Sequence, residues 1–449
     1  MKFPYIKIAT VMVLSVSQAY AINGVFDYGF GQINRGMGGA GVAKPQDAYA
    51  TIINPAGIGV VDHKFDAGVA VYFPDMYSKW GAGTSAPLPP PPFAPLSAPA
   101  GTFDSKTHVF VMPDIGYLFH YNQQHHFGVS LDSIGGFGTK YRTHRVGTLF
   151  GVPAPDDGVL GNGTVISSLK IGSLNASYNY FFCPQLSFGL TGSFYVQAFK
   201  SAGAQGLAPF TQTALTGGVA TKLSNNGTDY NHGFGATAGV LYRFNNHFSI
   251  AAAATPKVKM TKLDDYKDLL VHRGELDIPA RYSAGVNISP RADLSLLIDV
   301  VKIMNKKVGT YGHNSRALFD GRCTPGTATP GDCVGGDNGP GFGWSNQTLL
   351  KVGAEYKYSP RDVFRLGFSY GNRIGHEEDI VINTLAPGSA ARLITSAGYT
   401  RSMPCYKLNT FLTYIPSQTM SGVNELSVGA AQTVKVKVAG IGLGFGVSM

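Results

Sequence analysis

Residues 35–59 read RGMGGAGVAKPQDAYATIINPAGIG, and this stretch decides how the rest of the chain is interpreted. It holds six glycines and two prolines but no hydrophobic period long enough for a helix or a strand. Because an irregular segment of this kind cannot bury itself, other elements have to enclose it. We therefore predict that the remaining chain forms a barrel around it, with the stretch inside as a plug.

The composition indicates which kind of barrel this is. Only 14% of the residues are charged, 12% are aromatic and 58 are glycine, whereas a soluble domain usually carries about 25% charged residues. Few charges together with short alternating strands are typical of an outer-membrane β-barrel. The net charge of +9 is compatible with outer-membrane lipid and lipopolysaccharide as partners. The sequence has no basic stripe, so we expect no nucleic-acid partner.

The N-terminal residues predict export. Lys2 and Lys7 precede an apolar run, and Ala19-Tyr20-Ala21 has the form of a signal-peptide cleavage site. We therefore divide the chain into a signal peptide over 1–21, a plug over 22–62 and a transmembrane barrel over 63–449.

Apolar side chains recur at alternate positions through the predicted barrel. The clearest case is Leu276–Ser289, where the even-numbered residues are predicted to face lipid. The odd-numbered Asp277, Arg281 and Asn287 would face the lumen. This period of two with a polar inner face is the pattern of a membrane barrel. A soluble β-sandwich is the alternative, but it would carry more charge on its solvent face.

Short polar turns allow the strands to be counted. Six are predicted, at Asn122–His125, Phe182–Gln185, Asn245–Asn246, Ser289–Asp293, Ser359–Asp362 and Pro416–Met420. With both barrel ends on the periplasmic side, 2 × 6 + 2 gives 14 strands. The fold class is therefore all-β, a 14-stranded antiparallel transmembrane barrel. The last strand, Val434–Met449, changes its apolar phase and predicts a bulge near Ala439-Gly440.

Loops and cysteines add further expectations. The Pro-rich run Ser85–Ala100 predicts an exposed loop. Cys323 and Cys333 enclose nine residues of loop and are predicted to form a disulfide. Cys183 and Cys405 are expected at opposite ends of the barrel and therefore unpaired. No metal-ligand spacing occurs, and we expect no cofactor.

The plug segment carries a family resemblance, and a break in the predicted third strand bears on what that resemblance implies. The segment GMGGAGVAKPQDAYATIINPAG contains Asn54-Pro55-Ala56-Gly57, and the predicted third strand is interrupted at Ile134-Gly135-Gly136-Phe137-Gly138. Glycines inside a strand mark a bulge or a break. The plug segment resembles the N-terminal hatch of the FadL-type outer-membrane transporters of long-chain fatty acids and other hydrophobic compounds.

The resemblance implies a mechanism. A monomeric 14-stranded barrel binds a hydrophobic compound from outside, the hatch moves, and the compound leaves sideways at a kinked third strand. The lateral opening would lie at Gly135, Gly136 and Gly138. Family members usually end in an aromatic residue that the barrel assembly machinery reads. This chain departs from that pattern, since it ends in Val447-Ser448-Met449.

Ligand-binding candidates come from inward positions of the predicted strands. The apolar candidates are Phe110, Met112, Leu118 and Phe199, and the cations for a ligand carboxylate are Arg243, Arg281, Lys351 and Arg365. For the cations the alternative is a network of salt bridges that stiffens the lumen. We predict a transporter and not an enzyme. A general diffusion porin and a surface adhesin or structural barrel are the alternative functions.

Overall fold

The computed structural model describes residues 23–82, 100–142, 157–158, 161–162, 164–318, 320, 322–323, 326, 328–424 and 431–449. The predicted signal peptide lies outside these residues, as does all of the Pro-rich run except Ala100. No helix within the described residues is long and apolar enough to cross a membrane.

Fourteen antiparallel strands form one closed barrel. They are β1 (Phe65–Trp80), β2 (Phe110–His120), β3 (His125–Tyr141), β4 (Val165–Phe181), β5 (Leu186–Ala202), β6 (Asp229–Arg243), β7 (Phe248–Thr255), β8 (Arg281–Arg291), β9 (Leu294–Ile303), β10 (Gln347–Lys357), β11 (Asp362–Gly371), β12 (Leu393–Ser402), β13 (Lys407–Asn424) and β14 (Gln432–Ser448). Neighbours in sequence pair with each other, and β14 closes the barrel by pairing with β1. The predicted 14-stranded barrel is confirmed.

Shorter elements lie in the hatch region and in the loops. The helical segments are Gly31–Arg35, Ala50–Ile53, Pro55–Val60, Gln205–Phe210, Gln212–Leu215, Asp264–Tyr266, Val271–Gly274, Asn305–Lys307, Gly309–Gly312, Arg316–Leu318, Pro330–Asp332, Glu377–Asp379, Ile380–Asn383 and Pro387–Ala390. A short strand, Gly101–Asp104, pairs with the end of β1, and Asp157–Gly158 pairs with Gly161–Asn162.

Alternating side chains give the barrel wall two different faces. On β14, Ile441, Leu443 and Phe445 are 44%, 46% and 51% exposed, whereas Gly442 and Gly446, at alternate positions, face the lumen and are buried. The same alternation continues on the other strands. Outward aliphatic and aromatic side chains therefore form the apolar band that membrane barrels present to lipid.

One predicted turn was wrong although the strand total was right. Pro416–Met420 lies inside β13, where the pairing with β14 shifts register between Ile415 and Gln418. Proline has no N–H to give to the ladder, and a bulge removes the need for it. The sixth short turn is at 403–406, between β12 and β13.

The predicted bulge in the last strand was also wrong. Val434, Val436 and Val438 are buried in the lumen, and Ile441 continues the same alternation on the outside. β14 pairs with β1 without a register shift from Trp80 opposite Val434 to Asp66 opposite Ser448. The valines misled the prediction because the lumen itself is apolar at this height.

The outward assignment of residues 276–280 needs a similar correction. β8 begins only at Arg281, and Leu276, Ile278 and Ala280 are buried in the interior. They precede the strand and pack inside the barrel, so an apolar residue here does not mark a lipid-facing position. Within β8 the predicted phase holds, since Tyr282 and Ile288 are 45% and 40% exposed.

The free cysteines are placed differently from the prediction. Cys323 and Cys333 form a disulfide with their α-carbons 5.3 Å apart. Cys183 and Cys405 are both free. They lie in the short turns 182–185 and 403–406, at the same end of the barrel and not at opposite ends. Short turns occupy the periplasmic end of such barrels.

Candidate functional site

Residues 23–62, which we call the hatch, fill the lumen near the short turns and are almost entirely buried. The hatch folds tightly on itself. Gly39 has a φ of +80°, and a β-carbon there would lie 1.9 Å from the carbonyl oxygen of Tyr28. At Gly31, with a φ of +74°, a β-carbon would lie 2.2 Å from the ring of Tyr49. Glycine is the residue that such positions tolerate.

Asn54 fixes the second half of the hatch. Its side-chain oxygen accepts a hydrogen bond from the Ala56 N–H at 3.1 Å, which caps the turn that begins at Pro55. Its amide donates to the carbonyls of Val42 and Val240, at 3.0 and 3.3 Å. Asn54 is buried, and its hydrogen bonds join two parts of the hatch to each other and to strand β6.

Arg35 carries the most buried ion pairs of the hatch. Its Nε lies 2.9 Å from Asp27 Oδ2 and its Nη1 lies 2.5 Å from Asp114 Oδ2, and all three side chains are fully buried. Asp114 belongs to β2 and stands opposite Asp132 of β3. One guanidinium therefore joins the hatch to the wall beside a pair of carboxyl groups.

A second charged cluster holds the hatch on the other side of the lumen. Lys44 Nζ lies 2.9 Å from Glu355 Oε1, and Arg365 Nε lies 2.9 Å from Glu355 Oε2. Arg365 also donates to Thr400 at 2.6 Å and to Gln46 at 3.2 Å. Here the salt-bridge network that was the alternative for Arg365 is what the structure shows.

Backbone groups of the hatch are bound by wall side chains as well. Asp299 Oδ2 accepts from the N–H groups of Gly41 and Val42 at 2.7 and 3.0 Å. Lys351 Nζ donates to the carbonyl oxygen of Tyr28 at 2.7 Å. The inward charges of the barrel therefore hold the hatch in place.

Burial perturbs the titrating groups of the hatch. It raises the pKa of Asp27, although Arg35 opposes that shift. Burial and the nearby Asp66 carboxylate together raise the pKa of Asp47 well above its usual range. The pKa of Arg35 is raised because its carboxylate partners, Asp114 above all, outweigh burial. The guanidinium is thus firmly charged.

The third strand is distorted where its glycines were predicted to interrupt it. The register of β3 against β4 shifts between Ser133 and Gly135, which leaves Ile134 as an extra residue. Gly135 and Gly136 have φ values of +151° and +134°. The hatch meets this bulge directly, since the Asp27 N–H donates to the Ile134 carbonyl at 3.0 Å. A β-carbon on Gly135 would lie 2.2 Å from the Val25 carbonyl oxygen.

The ladder between β2 and β3 stops beside the bulge. Its last pair is Asp114 opposite Asp132, and the preceding β2 residue, Pro113, has no N–H to donate. Above that point the ring of Phe110 stands against Gly138, where a β-carbon would come within 3.1 Å of the ring. The ladder is therefore interrupted here, and side chains close the wall: Phe110 packs against Gly138, and Ser133 Oγ donates to the Pro113 carbonyl at 2.9 Å.

The four apolar ligand candidates do not form one pocket. All are inward and buried. Phe110 and Met112 share the apolar cluster of the upper lumen, and Phe199 belongs to a neighbouring cluster. Leu118 packs against the hatch at the other end. Spacing along a strand could not reveal this, because residues of one strand lie at different heights in the lumen.

The four predicted cations do not converge on one site: Arg243 and Arg365 line one cavity, and Arg281 and Lys351 line another. Arg243 donates to the Pro184 carbonyl at 2.7 Å, in a polar cavity of about 710 Å³ at the periplasmic end. Lys351 and Arg365 are bound to the hatch by the contacts given above. Arg281 donates to the Ile52 carbonyl and lies over the rings of Phe26 and Phe30, 5.6 and 5.0 Å from their centroids.

Two small cavities lie above and beside the hatch. One, of about 30 Å³, is lined by Phe30, Ile53, Arg281 and Lys351 among others. The other, of about 70 Å³, is predominantly apolar and is lined by Phe199 together with loop residues that sequence reasoning did not select as pocket residues. These include Leu269, Leu270, Leu318, Phe342 and Leu385. They lie in long loops without a periodic pattern, so no signal in the sequence marks them.

Sequence comparisons give no match to this chain, either among protein-family models or among curated proteins. Comparison of structures does. The Ralstonia pickettii toluene transporter TbuX is 15% identical, with a TM-score of 0.61 over 94% of this chain and 98% of that one. The Pseudomonas putida toluene transporter TodX is 14% identical, with a TM-score of 0.62 over 94% and 99%.

A Pseudomonas aeruginosa FadL homologue is 16% identical, with a TM-score of 0.61 over 95% of this chain and 98% of that one. At such identities the similarity concerns the fold. The chain therefore shares the fold of these three proteins over nearly its whole length, and the resemblance to FadL-type barrels is confirmed at that level.

Proposed function

We propose that this chain is an outer-membrane transporter of hydrophobic compounds, closed at rest by the hatch. The observation that carries the proposal is a plugged lumen that lies directly against a break in the barrel wall, at the bulge of β3. We expect a monomer in outer-membrane lipid, inserted by the barrel assembly machinery. The structural neighbours, two toluene transporters and a FadL homologue, support the hydrophobic substrate class.

The apolar cavity in the upper lumen offers an entry site. Phe199, Leu270 and Phe342 line it beneath the long loops. Each methylene that moves from water into such surroundings gains ~0.8 kcal/mol, so a long acyl chain or an aromatic ring would be attracted there. The cavity is small in this closed form, and we infer that a substrate enlarges it by moving loop side chains.

Arg281 is the best candidate for a substrate carboxylate. In the described part of the chain it has no carboxylate partner, and its guanidinium is held by one carbonyl and two phenyl rings. A charged hydrogen bond to an anion is stronger than one to a neutral carbonyl. This favours long-chain fatty acids. A neutral aromatic hydrocarbon is the second candidate, because the apolar cavity needs no cation to hold it.

Arg281 is also linked, through Phe26, to the bulge at which we propose the substrate leaves. Phe26 packs on Arg281 and pairs through its backbone with Gly135 of the bulge. A carboxylate that displaces Phe26 from the guanidinium would therefore loosen the hatch where it covers the bulge. We infer that substrate then leaves sideways between β2 and β3, at Gly135, Gly136 and Gly138.

The alternative functions fit the geometry less well. A diffusion porin needs an open lumen, and here the hatch occupies it with buried ion pairs. An adhesin would present its long loops outward, whereas residues of these loops fold inward onto the apolar core. Planar-bilayer recordings distinguish the cases: we expect almost no steady conductance, and a large one would overturn the transporter proposal in favour of a porin.

The lateral exit can be tested by filling it. Gly138→Leu places a side chain against Phe110 in the gap, so uptake of a fluorescent fatty acid should fall at least fivefold while binding to purified protein is kept. Gly192→Leu is the matched control, because a β-carbon there meets no atom closer than 4.0 Å. Unchanged uptake in folded Gly138→Leu protein would rule out this exit.

The substrate class can be tested at Arg281. Arg281→Gln should weaken palmitate binding at least tenfold, as expected when a charged hydrogen bond of about 1.5–3 kcal/mol is lost, and leave toluene binding unchanged. Equal losses for both ligands would show that the side chain acts through the hatch and not on a carboxylate. Toluene binding without palmitate binding in the wild type would favour the aromatic substrate.

A further inference from the structure

Two lysines face each other across the seam where the barrel closes. Lys79 of β1 stands directly opposite Lys435 of β14, on the outward face. Like charges directly opposite each other in a sheet are destabilising. In the residues that the structure describes, neither ammonium group has a carboxylate partner, whereas the next lysine, Lys437, lies 2.5 Å from Asp75.

A second like-charge pair shows how the chain treats such a position elsewhere. Asp114 and Asp132 are opposite each other on β2 and β3, but there the hatch supplies Arg35 as a counter-charge. The lysine pair has no equivalent among the described residues. An anion from outside the chain is therefore the partner that this pair lacks.

We propose that Lys79 and Lys435 bind a phosphate group on the sugar headgroup of an outer-leaflet glycolipid. The two lysines are the centre of a row across four strands, with Thr102 beside Lys79 and Ser421 beside Lys435. Thr102 and Ser421 are exposed on the same face. The strands are ~4.8 Å apart, so the two neighbouring ammonium groups can share one phosphate, and the hydroxyl on either side can donate to other oxygens of the same headgroup.

The distance of the lysine row from the apolar band agrees with the position of a phosphate on a sugar headgroup. The outward apolar rows of β1 and β14 end at Phe73 opposite Ile441, and Lys79 is six residues further along the strand. At ~3.4 Å per residue and a tilt of ~40°, this is about 15 Å along the membrane normal. A phospholipid headgroup layer adds only about 5–8 Å on each side, so a phosphate carried on a sugar matches the row better.

Binding can be measured on the full-length protein in detergent by native mass spectrometry, with phosphorylated lipopolysaccharide as the probe. We expect Lys79→Gln/Lys435→Gln to weaken binding at least tenfold, and wild type to bind dephosphorylated lipopolysaccharide as weakly as the variant binds the intact form. Lys302→Gln is the matched control, since Lys302 is a single outward lysine opposite Tyr282 and Thr348. It should stay within twofold of wild type.

Three results would overturn the inference: unchanged binding in the folded double variant, an equal loss in Lys302→Gln, or equal affinity for phosphatidylglycerol. The glycolipid site goes beyond the transport function and does not depend on it. Fatty-acid binding should be the same in the double variant and the wild type, so a failure of one proposal leaves the other testable.

Discussion

The lower and upper halves of the lumen are built from different chemistry. Below, the wall presents charged and polar side chains to the hatch, among them Asp114, Asp299, Lys351, Glu355 and Arg365. Above, the wall presents an apolar surface. That surface includes Met76, Trp80, Ile415, Met420, Val434, Val436 and Val438, all buried in one cluster with side chains from the loops.

The two halves therefore differ in the kind of contact that they make with what lies inside them. Ion pairs and hydrogen bonds have defined partners, so the hatch is held in one position and each contact can be exchanged for water or for a ligand group. Apolar packing has no such partner requirement, and the upper half can therefore accept a hydrophobic compound of varied shape. The lumen therefore binds the hatch through polar groups, beside apolar contacts such as those of Leu118 and Leu297, and is apolar above it.

Removal of Arg35 should have the largest effect on the lower half. Arg35→Ala leaves two buried carboxyl groups without their cation, and breaking a buried pair in this way costs about 3–5 kcal/mol. We expect the hatch to be released, with a steady ion conductance in planar bilayers and cleavage of the hatch by added protease.

Lys44→Ala is the matched comparison for that variant. The Lys44 side chain is 25% exposed, and Glu355 keeps Arg365 when Lys44 is removed, so we expect a loss of about 1 kcal/mol or less. If Lys44→Ala opened the channel as much as Arg35→Ala, the burial of the ion pair would not be what holds the hatch.

An apolar truncation tests the upper half. Ile415 is fully buried, and Ile415→Ala should lower the free energy of unfolding by about 2–4 kcal/mol through lost contacts and a cavity. Thermal unfolding in detergent measures this loss. Because the hatch anchors are untouched, the variant should remain non-conducting, and conductance equal to that of Arg35→Ala would contradict the division into two halves.

The junction between hatch and β1 should respond to pH. Burial opposes protonation of His63, but hydrogen bonds to Asp62 and Asp66 prevail and raise the pKa of His63 to about 9. A pKa raised above its unfolded value of about 6.5 adds stability that is complete below pH 6.5 and is lost as pH rises through 9.

We therefore expect wild-type stability to fall by about 2–3 kcal/mol between pH 6.5 and pH 9.5, measured by thermal unfolding across that range. His63→Gln should show a flatter profile and should be the less stable protein at pH 6. A profile of the same slope in both proteins would assign the pH dependence to other groups.

Much of the fold could be predicted because strand turns and outward apolar residues are local signals. The bulge at Gly135 was also visible, since a glycine inside a strand usually marks a bulge or the close approach of another backbone. Errors arose where the lumen contains protein. Two sets of residues are apolar yet inward, because the upper lumen and its loops form a core of their own: Val434, Val436 and Val438, and Leu276, Ile278 and Ala280.

The binding residues were harder to predict for a different reason. Inward direction follows from alternation, but height in the lumen and choice of partner do not. Arg281, Lys351 and Arg365 have the same pattern in the sequence, and only the folded hatch shows which of its groups each one contacts. Pro416 misled the turn count because a proline within a long strand and a proline in a turn look alike in sequence.

The two free cysteines are natural attachment sites for labels that measure a distance across the barrel. Cys183 and Cys405 lie in short turns on nearly opposite sides of the barrel, with strands β5 to β12 between them in one direction and six strands in the other. The remaining two cysteines are tied in a disulfide, so thiol-reactive spin labels would attach to this pair without any engineering. The distance between the labels would then report whether the barrel cross-section changes when a hydrophobic compound is added.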